Sequence, residues 1–125
     1  MSPPDDSTTT LADLRERVRG FVRERDWSQF HTPKNLAMAL AIEAAELMEH
    51  FQWLTPDASR AVAQDDVKRA EVGEEIADIL CYIVAMASEL GIDLSQAFFD
   101  KMLKNERKYP ADEFRGRYDP GQASA

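Results

Sequence analysis

The chain has 125 residues, of which 44% are apolar and 30% are charged, and its formal net charge at pH 7 is −8. This length predicts a single domain, and the composition is typical of a globular protein. The negative charge disfavours binding to polymeric nucleic acid, because nucleic-acid phosphates are bound by clustered Lys and Arg. No apolar run reaches the ~20 residues that a membrane-spanning helix needs.

The compartment is indicated by the cysteine content and by the N-terminus. A single cysteine, Cys81, excludes an intramolecular disulfide framework and fits a reducing compartment. The first ten residues lack the basic region and the apolar core of a signal peptide. We therefore expect a cytoplasmic protein that has no membrane partner.

The apolar periodicity predicts an all-α protein of four helices with no strand. The expected helices span about residues 8–25, 35–54, 66–90 and 93–108. They would form one domain over residues 1–110, after a flexible tail at residues 1–6, and residues 111–125 would be irregular. A four-helix protomer covers only part of the apolar second helix, so we expect oligomerisation to complete the bundle core.

The helix boundaries follow from capping residues and prolines. Thr8, Thr9 or Thr10 can cap the first helix. Residues 26–35 break the helical pattern at Pro33, which predicts that Trp27 and Phe30 lie on a connection. Residues 55–64 form a linker or one short turn, with Pro56 suited to a first helical position. The third helix would begin at Asp65 or Asp66 and end before Gly91, and Asp93 would cap the fourth.

The second helix carries two carboxylates among apolar residues. Glu43 falls on the same side of the helical wheel as Leu36, Leu40 and Leu47, and Glu46 lies just beside that side. An ionised carboxylate is costly to bury unless it has a partner. That partner is either a divalent cation, since Mg²⁺ prefers oxygen ligands, or a Lys or Arg from elsewhere in the chain. The helix alone does not decide between them.

The third helix repeats this acidic spacing at Glu75 and Asp78, which form one strip with Glu71 and Tyr82. The apolar stripe of the same helix, expected to be buried, comprises Ile76, Ile79, Leu80, Ile83, Val84, Ala87 and Leu90. The acidic strip lies away from it, so a solvated acidic face is one interpretation. The other is that two antiparallel helices bring four carboxylates together. Four such charges would repel one another unless one or two Mg²⁺ ions bound between them.

The fourth helix carries the opposite charge on a single strip of Lys101, Asn105 and Lys108. Two cations and an amide donor in a row suit phosphate oxygens. A solvated polar face is the alternative interpretation of this strip.

Two acid pairs and two further patterns together carry a family resemblance. ExxE at Glu43–Glu46 is followed by FQW, and ExxD at Glu75–Asp78 is followed by KxxxNxxKYP. Over roughly residues 25–110 the chain resembles the all-α nucleoside triphosphate pyrophosphohydrolases of the MazG type, most closely the dCTP pyrophosphatase branch. The resemblance implies Mg²⁺-dependent hydrolysis of a (deoxy)nucleoside triphosphate, dCTP or a modified dCTP, to the monophosphate and pyrophosphate. It also implies a homodimer or homotetramer.

The resemblance assigns roles to individual residues. The Mg²⁺ ligands would be Glu43, Glu46, Glu75 and Asp78. The residues that bind the substrate would be Trp27, Trp53 and Tyr82 around the base, with Lys101, Asn105 and Tyr109 near the triphosphate. A histidine that the branch has in its first helix has no counterpart here, because an ungapped match places Val18 there. This puts the preference for cytosine in question more than the hydrolysis.

The expected chemistry is attack by water on the α-phosphorus. Glu46 is our candidate for the group that activates the water. Lys101 and Lys108 would stabilise charge on the leaving pyrophosphate. One alternative function is a non-enzymatic helical module that binds a nucleotide or a partner protein through the same acidic groove. Another is a plain oligomeric scaffold, in which the acid pairs would meet Lys or Arg across an interface.

Overall fold

The computed structural model describes residues 2–117, and within that range the chain contains only helices, turns and loops. The predicted all-α class is therefore confirmed, although the helices number six over these residues instead of four. The six are α1 Leu11–Glu24, α2 Pro33–Glu49, α3 Pro56–Ala61, α4 Asp66–Leu90, α5 Leu94–Lys108 and α6 Ala111–Phe114. Two short 3-10 helices, Ser28–Phe30 and Val62–Gln64, complete the described elements. None of the described helices has the length and apolar character needed to span a membrane.

The chain forms two compact units, of which the first ends at Ile92 and the second begins at Asp93. In the first unit the most extensive helix–helix packing joins α2 to α4, and α1 packs against α4 as well. The second unit contains α5 and α6. All the carboxylates expected to bind metal therefore lie in the first unit, and the expected phosphate-binding cations lie in the second.

Side-chain caps fix the starts of three helices that the sequence predicts. Thr10 is the cap of α1: its Oγ1 accepts a hydrogen bond from the Asp13 amide, and the Asp13 carboxylate accepts one from the Thr10 amide. Asp65 and Asp93 cap α4 and α5, as expected, by accepting hydrogen bonds from the amides of Lys68 and Gln96. Helix α4 ends where Gly91 adopts a left-handed φ of 65°, which glycine accepts without a steric penalty.

The predicted second helix is displaced toward the N-terminus, because it begins at Pro33 and ends at Glu49 instead of spanning 35–54. Thr32 caps it by accepting a hydrogen bond from the Asn35 amide at 3.1 Å. Pro33 then occupies the first position, where its fixed φ suits a helix and its missing N–H costs nothing. At the other end the amide of Phe51 donates to the carbonyl of Met48, so the chain tightens into turns before Leu54.

Two further segments are helical, one predicted as a linker or one short turn and the other as part of an irregular tail. Residues 56–61 form α3, in which Thr55 Oγ1 accepts from the Ala58 amide at 3.1 Å and Pro56 takes the first position, as expected. Residues 111–114 form α6, directly after Pro110. The prediction of an irregular tail is wrong for this stretch, and residues 118–125 lie outside the described range. Short helices of this kind escape apolar periodicity because they span too few turns to show it.

Burial agrees with the predicted inner face of α2 and with only part of the apolar stripe predicted for α4, of which Val84 and Ala87 are buried. On α2, Leu36 is 2% exposed, whereas Ile42 on the other side is 60% exposed. On α4, Ile76 is 52% exposed, although it belongs to the stripe predicted to be buried.

On the acidic strip of α4, for which a solvated face was one interpretation, the Glu75 side chain is only 22% exposed and Tyr82 is half-buried. Glu71 and Asp78 on the same strip are exposed, so only part of the strip faces inward within this unit, and part of the apolar stripe faces outward.

Candidate functional site

Three of the four predicted metal ligands converge where α2 packs against α4. Each of Glu43, Glu75 and Asp78 offers one carboxylate oxygen, and these oxygens all lie within 4.8 Å of one another. Glu43 comes from the inner face of α2, while Glu75 and Asp78 come from successive turns of α4. We call these three side chains the carboxylate cluster. Carboxylates from the two acidic motifs therefore meet in this unit, with three of the expected four in the cluster.

Glu43 is the least hydrated member of the carboxylate cluster. Its Oε2 atom is buried and has no hydrogen-bond partner within residues 2–117. Loss of hydration, followed by the adjoining carboxyl group of Glu75 and the negative charge of Glu46, raises the pKa of Glu43 to about 7. A buried acceptor that no protein group satisfies fits a site that binds a cation.

Glu46 lies next to the cluster but outside it. Its carboxylate is close enough to raise the pKa of Glu43, yet it is not among the three that share the 4.8 Å spacing. The residue is exposed. The structure thus separates Glu46 from the other three predicted ligands.

The carboxylate cluster fits a small, hard cation. Mg²⁺ takes six oxygens at 2.0–2.1 Å, so two of its ligands are roughly 3 Å apart when adjacent and roughly 4.2 Å apart when opposite. The observed spacing of up to 4.8 Å between the three oxygens needs only small side-chain movements to meet those values. No Lys or Arg within residues 2–117 forms an ion pair with a cluster carboxylate.

One basic side chain does approach the cluster. His50, at the C-terminal end of α2, places its Nε2 atom 3.9 Å from Oε1 of Glu75, and its side chain is 17% exposed. The wheel of the second helix puts His50 on the same side as Glu43, but no role was inferred for it from the sequence. The periodicity therefore contained the signal for its position, without a motif to mark it.

A pocket of about 430 Å³ opens beside the carboxylate cluster, and Asp78 both belongs to the cluster and lines the pocket. Trp27 and Tyr82, two of the predicted base-binding residues, line this pocket. Trp27 is held there because its amide donates to the carbonyl of Val22, after Asp26 turns the chain at a φ of 53°. The ring of Trp27 meets that of Phe21 edge to face, with centroids 5.7 Å apart.

The rest of the pocket wall is partly expected from the sequence. Val18 lines it, and this is the position at which the sequence resemblance implied a histidine. Arg17, His31 and Cys81 also line it, and the sequence had assigned them no role. Burial and the nearby Asp78 raise the pKa of the Cys81 thiol, which keeps it protonated and unreactive at neutral pH.

The third predicted base-binding residue, Trp53, does not line this pocket. It lies on the turn after α2 and is 88% exposed in this chain. Its assignment to the base therefore stays a prediction.

The predicted phosphate-binding residues belong to the second unit. Lys101 and Lys108 are exposed on α5, whereas Asn105 is half-buried. Lys108 Nζ lies 5.3 Å from the centre of the Tyr109 ring, and that ring packs edge to face on Phe114 at 5.1 Å. These contacts are local to the C-terminal end of α5, so the phosphate-binding role of the strip stays a prediction.

The all-α fold and the paired acidic motifs define a protein class that sequence comparison identifies. The model of the MazG-like family matches residues 38–119, which include both acidic motifs. The chain belongs to the MazG-like family, as the resemblance of its motifs predicts.

Among individual proteins, the chain is similar to dCTP pyrophosphatase 1 from mammals. It is 44% identical to the Bos taurus protein over 110 residues, which are 88% of this chain and 65% of that protein. It is 44% identical to the Homo sapiens protein over 102 residues, which are 82% of this chain and 60% of that protein. The chain therefore spans just under two thirds of the length of these relatives.

A solved structure agrees with the fold along nearly its whole length. The crystal structure of a pyrophosphatase from Archaeoglobus fulgidus matches with a TM-score of 0.75 and 39% sequence identity. The match covers 88% of this chain and 98% of that one.

Proposed function

We propose that the chain is an Mg²⁺-dependent nucleoside triphosphate pyrophosphohydrolase that converts dCTP, or a modified dCTP, to the monophosphate and pyrophosphate. The observation that carries this proposal is the carboxylate cluster, in which Glu43, Glu75 and Asp78 bring one oxygen each within 4.8 Å of the others. The similarity to mammalian dCTP pyrophosphatase 1 and to an archaeal pyrophosphatase supports the reaction class.

The proposed metal site consists of the carboxylate cluster with Glu46 at its edge. Mg²⁺, when bound, would supply the positive charge that phosphate oxygens need in an otherwise acidic site. The unsatisfied Oε2 of Glu43 supports this assignment, because a cation would provide its missing partner.

The proposed side-chain roles concern the attacking water and the leaving pyrophosphate. Water attacks the α-phosphorus, and the bond to the oxygen that bridges the α- and β-phosphorus atoms breaks, so that pyrophosphate leaves. Glu46 takes the proton from that water, a role supported by its place outside the carboxylate cluster, which leaves its carboxylate free to act as a base. Lys101 and Lys108 stabilise the charge that grows on pyrophosphate. For these two lysines the support is the KxxxNxxKYP pattern alone.

The pocket gives the substrate its second anchor. Trp27 and Tyr82 enclose the base, and the pocket begins at Asp78, so a nucleotide can reach from the carboxylate cluster into it. Binding energy from the base then holds the triphosphate in place without contact to the reacting phosphorus. We also keep Trp53, Asn105 and Tyr109 as substrate-binding residues, on the resemblance in sequence.

We further propose that the protein acts as a homodimer or homotetramer in the cytoplasm, on free nucleotides and not on polymeric nucleic acid. The outward-facing residues Ile42 of α2 and Ile76 of α4 support self-association. The single cysteine supports a reducing compartment.

The test is a pyrophosphate-release assay over the common and modified dNTPs, with and without EDTA. We expect release with Mg²⁺, and we expect Glu43→Gln and Asp78→Asn to lower kcat/KM by at least about 100-fold, because charge stabilisation by the ion is lost. Glu49→Gln and Glu74→Gln are matched controls, since both acids adjoin the motifs but lie outside the carboxylate cluster. These controls should keep wild-type rates.

Three outcomes would contradict the proposal. Equal turnover in the cluster variants and the controls would remove the site assignment. Tight binding of a dNTP with Mg²⁺ but without product would favour the non-enzymatic module. A melting temperature that Mg²⁺ leaves unchanged, together with no nucleotide binding, would favour a plain scaffold.

A further inference from the structure

Arg17 is an exposed arginine that lines the pocket. It projects from α1 beside Val18, and much of the remaining wall is apolar or aromatic, including Phe21, Trp27 and Tyr82. Arg15 on the same helix donates a hydrogen bond to the carbonyl of Ile92. Within residues 2–117 the Arg17 guanidinium, by contrast, makes neither a hydrogen bond nor an ion pair. Its donors are therefore available to a ligand in the pocket.

Five other side chains with polar atoms line the pocket, and Asp78 among them belongs to the carboxylate cluster; the rest are Trp27, His31, Cys81 and Tyr82. His31 has no side-chain hydrogen bond within the described residues. A neutral imidazole has one donor and one acceptor, so it can match either pattern on a base and distinguishes little by itself. A guanidinium has five N–H donors in a rigid planar fork and no acceptor, so it fits only an edge that accepts.

We propose that Arg17 is a specificity-determining residue that selects bases with two adjacent hydrogen-bond acceptors on one edge. This inference rests on the proposed function for the location of the nucleotide. Cytosine has such an edge in O2 and N3, and guanine has one in O6 and N7. Thymine and uracil place an N–H between their two carbonyl oxygens, and adenine places an amino group beside its ring nitrogens. The paired donors of an arginine therefore match cytosine and guanine, and meet a donor on the other bases.

The experiment compares bases of equal size. For the wild-type protein with Mg²⁺, kcat/KM is measured for dCTP against dTTP and for dGTP against dATP. We expect Arg17→Met to lower both ratios by at least about tenfold, the loss typical of a charge-assisted hydrogen bond. Arg17→Lys keeps the charge but lacks the planar fork, so it should lower both ratios as well. Arg19→Met removes an exposed arginine of α1 that does not line the pocket, and it should leave both ratios unchanged.

Two outcomes would overturn the role of Arg17 without touching the proposed function. The first is an equal fall in kcat/KM for all four dNTPs that Arg17→Lys restores, because the arginine would then act only as a charge on the triphosphate. The second is a set of ratios that stays the same in Arg17→Met. Circular-dichroism melting of each variant separates both results from a loss of folding.

A binding measurement keeps the two proposals distinguishable. Non-hydrolysable α,β-imido analogues of dCTP and dTTP are titrated into the wild-type protein and Arg17→Met by calorimetry. Tighter binding of the dCTP analogue that disappears in the variant supports the role of Arg17, even if the wild-type protein released no pyrophosphate and the proposed hydrolysis failed. Equal affinities for the two analogues in the wild-type protein overturn it.

Discussion

Nε2 of His50 lies 3.9 Å from Oε1 of Glu75, so the imidazole at the end of α2 faces a carboxylate of the cluster on α4. Both side chains are largely shielded from solvent, at 17% and 22% exposure. The pair joins the two helices that build the cluster. Groups that contact a metal-binding side chain from behind usually fix its orientation.

The first prediction concerns this pair. His50→Leu removes the polar group facing Glu75, so the carboxylate is free to turn away from the cluster and metal binding should weaken by about two- to fivefold, the range of one weak polar contact. The affinity for Mn²⁺, used as a spectroscopic stand-in for Mg²⁺, is measured at pH 8 by electron paramagnetic resonance. His50→Gln should recover part of the loss, because its amide can still donate. An unchanged Mn²⁺ affinity in His50→Leu would show that Glu75 needs no such support.

The second prediction concerns pH and follows from the pKa of Glu43, which is raised from 4.5 to about 7. Between these values the folded protein binds more protons at this site than the unfolded chain does. The free energy of unfolding of the metal-free protein should therefore fall, through this group, as the pH rises from about 4.5 to about 7. Added Mg²⁺ should restore stability above pH 7, because it favours the ionised carboxylate.

Urea denaturation in EDTA at pH 5 and pH 8 measures this effect of Glu43. In Glu43→Gln the difference between the two pH values should shrink, since the titrating group is gone. Glu49 is exposed on the same helix. Glu49→Gln should therefore keep the wild-type difference in the free energy of unfolding between the two pH values. Equal differences in all three proteins would mean that Glu43 does not titrate in this range.

The third prediction concerns the contact between α1 and the end of α4. The Nη2 atom of Arg15 donates a hydrogen bond to the carbonyl of Ile92 at 3.0 Å, across 77 positions of sequence. Arg15→Ala should lower the free energy of unfolding by about 1 kcal/mol, as the loss of one partly solvated hydrogen bond does. Thermal denaturation of Arg15→Ala and of the exposed control Arg19→Ala tests this. A decrease of equal size in both variants would argue against a specific role for the contact.

The fourth prediction concerns the outward face of α2, where Met38, Ile42 and Met48 are 53%, 60% and 57% exposed. If a second copy covers this face, Ile42→Glu should dissociate the assembly, because a carboxylate would be buried without a partner. Analytical ultracentrifugation at micromolar concentration should show an oligomer for the wild-type protein and a smaller species for the variant.

The matched control for the α2 face is Val67→Glu, which changes a residue that is 71% exposed in the first turn of α4. A carboxylate is favourable at that helix end, so the assembly should persist. A wild-type monomer would contradict the predicted self-association outright.

The sequence was sufficient for those parts of the fold that have a local cause. Thr10, Asp65 and Asp93 cap helices because their side-chain oxygens reach amides three residues later, and Gly91 ends α4 because of its own φ. The spacing of Glu43 with Leu36 correctly placed that carboxylate on the inner face of α2. Only helix α3 and helix α6 were missed, because a helix of one or two turns shows no clear period.

The buried side of α4 and the wall of the pocket depend on contacts between helices, which the periodicity of one helix does not show. The apolar stripe through Ile76 and Leu80 predicted the buried side of α4, yet both residues are exposed in this chain while Glu75 faces α2. A helix with apolar residues on two sides does not indicate which side its own chain covers. The pocket role of Arg17 was invisible for a related reason, since it depends on how α1 lies against α4.

Asp78 and Tyr82 are one turn apart on α4, and the first belongs to the carboxylate cluster while both line the pocket. An α-helix rises about 5.4 Å per turn and hardly stretches, so it keeps a constant distance between the carboxylate cluster at Asp78 and the aromatic pocket at Tyr82. A molecule that binds at both must match that distance. Inserting a single residue into α4 between these two positions would turn Tyr82 by about 100° around the helix axis. The tyrosine would then no longer face the same side as Asp78, even though every side chain is retained.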